Sequence, residues 1–178
     1  NHKSASIDVR EKFSFTSDTS ALLIRRIKKI SSINEVVVVS TCNRTEIYID
    51  SLTGPQDLQE WLDLENDFKV LSEHMYIYQE EDAIKHLFKV VSGLDSMVVG
   101  ESEVLGQVKT SYKVALENKT IDSKLKRLFE YSFSVARNVR SNTDIGGNAI
   151  SFMYTSILLI KKVFSNVYEK KCLLIGAG

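Results

Sequence analysis

Four consecutive valines, Val36 to Val39, bounded by Glu35 and Ser40, read as a buried strand because no polar position interrupts the run. Thr45 to Asp50 read as a second strand, with Ile47 and Ile49 on one face. The four residues between them, Thr41 to Arg44, form the connecting loop. Ahead of the strands, Leu22, Leu23, Ile27 and Ile30 repeat at helical spacing behind Ser17 and Asp18, whose side-chain oxygens suit a helix N-terminus. Residues 1–16 mix polar and apolar positions without a period and are read as a short strand remnant and a connection. After the Gly54-Pro55 turn, Leu58, Trp61, Leu62 and Phe68 predict a helix, and Met75 to Tyr78 predict a further strand. Glu80, Glu81 and Asp82 open another helix, whose stripe is Ala83, Ile84, Leu87, Phe88 and Val91 and whose stop is Gly93. This order predicts an α+β domain: a small antiparallel or mixed sheet with helices on one face.

From Val104 the pattern is helical throughout. Leu105, Val108, Tyr112, Ala115 and Leu116 make one stripe, and Leu125, Leu128, Phe129, Ser132, Val135, Ala136 and Val139 make another. Gly146-Gly147 interrupts it, and a third, long linker helix runs from about Asn148 to Phe164. That helix is apolar on more than one side, so it is expected to lie against another domain or a partner chain. Lys170 to Gly178 then reads as a buried strand entering a Gly-X-Gly turn at Gly176 and Gly178, the opening of a Rossmann-type βαβ unit. The chain begins without Met and ends directly after this strand, so it is expected to be a piece of a longer protein.

Composition narrows the functional classes. With 178 residues and 43% hydrophobic content, the chain can bury one full core and part of a second. Lys+Arg and Asp+Glu both number 23, so a nucleic-acid or membrane contact would have to come from a local patch. Two runs qualify: Arg25, Arg26, Lys28 and Lys29, and Lys124, Lys126, Arg127, Arg137 and Arg140; both also read as solvated helix faces. No apolar stretch approaches the roughly 18 residues of a membrane span. Two cysteines exclude a disulfide framework and point to a reducing compartment, the cytoplasm.

Candidate chemistry centres on Cys42. A thiol attacks as its thiolate, and Arg44, two residues on in the same loop, is a cation that stabilises that form. Taken alone, Cys42 reads first as an inert small residue at a strand end, and His86 as a packing residue at the border of its helix stripe. Cys172, inside an apolar run, reads as core. No metal site is expected, since no second cysteine is near and His2, His74 and His86 are scattered. The Gly93 to Gln107 stretch, with three glycines and several short polar side chains, can bring backbone close to a ligand or can simply be a loop before a capped helix.

Five segments together carry a resemblance that covers nearly the whole chain: Ser40-Thr41-Cys42-Asn43-Arg44-Thr45-Glu46-Ile47-Tyr48, Gly93 to Gln107, Asn1-His2-Lys3, Thr143-Asp144-Ile145 and Gly176-Ala177-Gly178. They resemble the glutamyl-tRNA reductase family. The resemblance implies reduction of the glutamyl group of glutamyl-tRNA to glutamate-1-semialdehyde with NADPH, the first committed step of five-carbon tetrapyrrole (porphyrin) biosynthesis. It implies that Cys42 forms a thioester and that His86 is an accessory residue for activity. Thr41, Asn43, Arg44, Ser96, Glu101, Ser102, Glu103 and Gln107 fall at substrate-contact positions, with Arg44 a natural partner for the glutamate carboxylate. Glu103 departs from the family's usual Gln, which removes a donor and adds a negative charge. Gly176 and Gly178 match the start of the NADPH fingerprint, and the fragment is not expected to hold NADPH alone. The implied organisation is a catalytic domain at 1–145, a linker helix at 146–169 and the start of a Rossmann domain at 170–178. The full-length protein is implied to be a homodimer, with the downstream semialdehyde aminomutase as a partner. Two other readings stay open: a fragment limited to thioester formation or ester hydrolysis, and a non-catalytic tRNA-binding or regulatory module.

Overall fold

In the computed structural model, which describes residues 1–41, 43–64, 68, 73–145, 152–164, 166–171 and 173, the valine run lies within β1 (Ile33–Ser40). It pairs antiparallel with β2 (Thr45–Ser51), with Val37 opposite Tyr48 and Ser40 opposite Thr45. This hairpin is the whole sheet among the described residues. Seven α-helices are described besides it: α1 (Ile7–Lys12), α2 (Ser17–Ile27), α3 (Gln56–Leu64), α4 (Glu80–Val91), α5 (Glu103–Glu117), α6 (Lys124–Asn142) and α7 (Phe152–Val163). The α+β class holds, and none of these helices is long and apolar enough to cross a membrane.

Successive strand residues point to opposite faces, so a strand with four buried valines in a row needs a cover on each side. On one face Val37, Val39 and Tyr48 pack with Leu87, Val90 and Val91 of α4, Val104 and Val108 of α5, and Phe129 of α6. On the other, Ile33, Val36 and Val38 pack with Leu23, Ile24 and Ile27 of α2, Leu62 of α3, Phe13 and Phe68. Helices therefore cover both faces of the hairpin rather than one.

Two further expectations change. Residues 7–12 are helical, not a strand remnant; Asp8 in the first turn and Arg10 and Lys12 in the last suit the helix dipole. Residues 75–78 form no strand, because their aromatic side chains are engaged elsewhere: Tyr76 and Tyr78 pack on the His86 ring, with centroids 5.6 Å and 4.8 Å away. The N-cap of α2 is Thr16, whose side chain accepts from Thr19 N, one residue before the expected cap.

Two joints fix the elements that flank the site. Glu35, buried in β1, accepts from the backbone N–H groups of Asp122, Lys124 and Leu125 at 2.9–3.0 Å, and so caps the start of α6. At the end of α4, Gly93 has φ +75° and the N–H of Leu94 returns to the Lys89 carbonyl at 2.8 Å, a turn open to glycine at little cost. Gly100 N then donates to Gly93 O at 2.9 Å, closing residues 93–100 into a loop. Of the expected linker helix, α7 is described from Phe152 on, with Ile157, Leu159, Val163 and Phe164 exposed. Cys172, Gly176 and Gly178 lie outside the described residues, and so does most of the expected last strand.

Candidate functional site

Glu46 and Tyr48 are two apart on β2 and point to the same face, toward α4. A carboxylate with only 7% exposure on such a face must be satisfied by the protein. Glu46 is: its Oε1 accepts from Arg44 Nη1 at 2.9 Å, from Tyr76 O–H at 2.5 Å and from His86 Nε2 at 2.8 Å, while Oε2 accepts from Tyr48 O–H at 2.6 Å. Burial alone would raise the Glu46 pKa, but the hydrogen bond from His86 and the charge of Arg44 bring it down to about 2. The two tyrosines move the other way: burial, and then the Glu46 charge, push both hydroxyls above their usual range and keep them protonated donors.

Arg44 is the other half of this cluster, and it is 2% exposed. Nη1 also donates to Asp95 Oδ2 at 3.0 Å, and Nη2 donates to the Asp95 carbonyl. Burial opposes its charge, yet Glu46 and Asp95 more than offset that, and its pKa is raised. Asp95 in turn is held by Lys3 Nζ, and its carboxyl lies below the ordinary range: burial would raise it, and the bonds from Lys3 and Arg44 lower it.

The 41–44 turn is built by Thr41. Its N–H donates to Arg44 O at 2.8 Å, and its hydroxyl oxygen accepts from the N–H groups of Asn43 and Arg44 at 3.2 Å each. Asn43 is pinned from outside: its Oδ1 accepts from Arg10 Nη1 at 3.0 Å, and its carbonyl accepts from His2 N at 3.0 Å. Residues 1–10 thus strap the turn. Cys42 itself lies outside the described residues.

The candidates do not share one cleft. Thr41, Arg44, Glu46, Tyr76 and His86 line a cleft of about 680 Å³. Glu103 and Gln107 line a second cleft of about 400 Å³ with Ser17, Ser20, Ser40 and Thr110. Ser96 Oγ and Gln107 Oε1 are buried without a hydrogen-bond partner, which leaves an unmet valence at each position. The Glu101 carbonyl accepts from Arg140 Nη2 at 2.6 Å. Ser102 precedes α5 and makes no side-chain cap, and Glu103 is exposed in its first turn. No group of His, Cys, Asp and Glu able to hold a metal ion occurs among the described residues.

The sequence pattern passed over Glu46, Asp95 and Tyr76. One signal for Glu46 was available: a charged residue two positions from Tyr48, opposite in face to Ile47 and Ile49, sits on a side that a buried hairpin must cover.

Residues 1–143 match the family model described as the N-terminal domain of glutamyl-tRNAGlu reductase. The glutamyl-tRNA reductase of Pseudoalteromonas atlantica is 44% identical over 181 residues, covering 100% of this chain and 43% of that protein. That of Xylella fastidiosa strain M23 is 43% identical, covering 100% and 40%. The solved glutamyl-tRNA reductase from Methanopyrus kandleri superposes with a TM-score of 0.72 at 30% identity, over 99% of this chain and 42% of that one. The chain spans about two-fifths of the length of the relatives it matches.

Proposed function

The chain belongs to the glutamyl-tRNA reductase family, whose N-terminal domain it carries, and from that premise we propose that it performs the acyl-transfer half of glutamyl-tRNA reduction in tetrapyrrole biosynthesis. Residues 1–145 are the glutamyl-recognition and catalytic domain, 146–169 the linker helix, and 170–178 the start of the cofactor domain. The whole protein works in the cytoplasm as a homodimer and hands its aldehyde to the downstream aminomutase.

In the reaction the Cys42 thiolate attacks the ester carbonyl of glutamyl-tRNA. A C–S bond forms, the C–O bond to the terminal ribose breaks, and the tRNA leaves with its hydroxyl reprotonated. NADPH, when bound by the rest of the protein, supplies the hydride that takes the thioester to the aldehyde and frees the thiolate. Only Gly176 and Gly178 of that cofactor site belong to this chain, and both lie outside the described residues. Without it the thioester meets only water, so the domain alone hydrolyses the ester.

The observation that carries this reading is the state of Arg44. Of its five guanidinium N–H groups, three are taken by Glu46 and Asp95. Among the described residues no partner is seen for Nε–H and one Nη2–H, a pair suited to grip a carboxylate side-on. Glu46 and Asp95 hold the guanidinium in place, and the glutamyl side chain binds the remaining edge. Ser96, next to Asp95 in the chain and with an unmet Oγ, adds a further contact to substrate, while Gln107 lines the second cleft.

The test is to incubate the full-length protein with glutamyl-tRNA labelled in its amino acid. Label should be trapped on Cys42, and Cys42→Ser should abolish the trapping. A wild-type protein that binds the tRNA yet never acquires label would overturn the reading.

A further inference from the structure

We infer that Glu46 is the positioning residue of the site, one carboxylate that fixes both the donor state of His86 and the orientation of Arg44. The inference rests on the function proposed above, and its geometry stands independently of it. An ionised carboxylate has no hydrogen to give, so each of its four partners must be the donor. His86 therefore presents Nε2–H to Glu46 Oε1 at 2.8 Å. Whenever the ring is neutral, its one N–H is spent there, and Nδ1 is the atom left with a lone pair.

The ring is also held in place. Tyr78 packs against it at 4.8 Å between centroids and Tyr76 at 5.6 Å, and the Tyr76 hydroxyl ends on the same Glu46 oxygen. A ring flip would set Cε1–H in place of Nε2–H against the carboxylate oxygen, and the other tautomer would set a lone pair there; either loses the bond. With Nε2–H committed to Glu46, Nδ1 is the ring atom left to accept a proton from the cleft that His86 lines or to return one to it. The same Oε1 receives Arg44 Nη1, so the carboxylate that orients the proton-exchanging ring also sets the carboxylate receptor. Moving Glu46 displaces both.

Two measurements on the full-length protein test this. In ring-15N-labelled wild type, the neutral His86 resonances should show hydrogen on Nε2 and a bare Nδ1; a Nδ1–H tautomer overturns the inference and needs no variant. In single-turnover trapping of label on Cys42 at saturating glutamyl-tRNA, where weaker binding at a displaced Arg44 is made up by substrate, Glu46→Gln should slow thioester formation at least about tenfold, and the same change in a His86→Asn background should cost less than about threefold. Equal losses in the two backgrounds would mean that Glu46 acts only as structure, and would overturn the inference. Should Glu46→Gln fail to fold, Glu46→Asp, which keeps the charge but draws it back from the ring, replaces it in the cycle with the same expectation. Absence of label in wild type counts against the proposed function alone, because the tautomer measurement involves no substrate.

Discussion

Arg44 grips Asp95 at two points, Nη1 to Oδ2 at 3.0 Å and Nη2 to the backbone carbonyl, across a sequence separation of 51 residues. The 41–44 turn and the loop after α4 are thereby tied together through one guanidinium. Asp95→Ala removes one of the two carboxylates that neutralise a buried cation, and the loss of such a partner costs about 2 kcal/mol. Thermal unfolding should show a Tm roughly 5 °C lower. Asp95→Asn keeps an acceptor near Nη1 and should cost less than half as much. Equal melting of Asp95→Ala and wild type would show that Arg44 does not depend on this contact.

Arg44→Lys keeps the charge and removes the fork. Lysine offers a single ammonium, which cannot serve Glu46, Asp95 and a substrate carboxylate with separate donors. KM for glutamyl-tRNA should rise about tenfold, equivalent to about 1.4 kcal/mol, and the preference over glutaminyl-tRNA should fall in proportion. Retained discrimination between the two would remove Arg44 from substrate recognition.

What was legible in the sequence follows the range of the interactions. Val36 to Val39 gave the buried strand, and Gly93 gave the end of α4, because both signals are local. Helix α1 carries too few apolar positions for a period to emerge, and Met75 to Tyr78 has strand composition without a ladder partner. Arg44 stood out within its motif, yet the Glu46 cluster did not, since its partners Tyr76 and His86 lie 30 and 40 residues away. No periodicity encodes such distances. The pattern did not show the second cover of the hairpin for a related reason: it was present as four unbroken valines, but which helices supply it is decided by tertiary packing.

Acid should weaken the fold through Glu46. Its carboxyl titrates near 2 in the folded protein against 4.5 in the free side chain. A carboxyl with a depressed pKa binds fewer protons when folded than when unfolded, so its contribution is complete above about pH 4.5 and is lost as the pH falls toward 2. The size is on the order of 3 kcal/mol. Urea unfolding followed between pH 5 and 2 should give a falling stability in wild type and a flatter curve in Glu46→Gln. Parallel curves would assign the acid sensitivity to other carboxylates.

Gly93 and Gly106 should respond to the same substitution with opposite sign. At Gly93, with φ +75°, a Cβ would sit 3.0 Å from the Glu101 carbonyl oxygen and 3.3 Å from Gly100 Cα. Alanine there carries the left-handed backbone penalty of about 1–2 kcal/mol and also presses on a carbonyl that Arg140 already holds. The strain falls on the loop that bears Asp95 and Ser96, so Gly93→Ala should lose stability and substrate affinity together. Gly106 lies inside α5, where a Cβ meets nothing within 4 Å. Alanine at that position removes the entropy cost of glycine in a helix and should stabilise by about 0.5–1 kcal/mol. Denaturant melts of the two variants beside wild type decide the matter: two shifts of the same sign would mean that the loop yields to a side chain at 93 or that α5 is under strain at 106, and the rigid tie between the loop and the 41–44 turn would have to be given up in the first case.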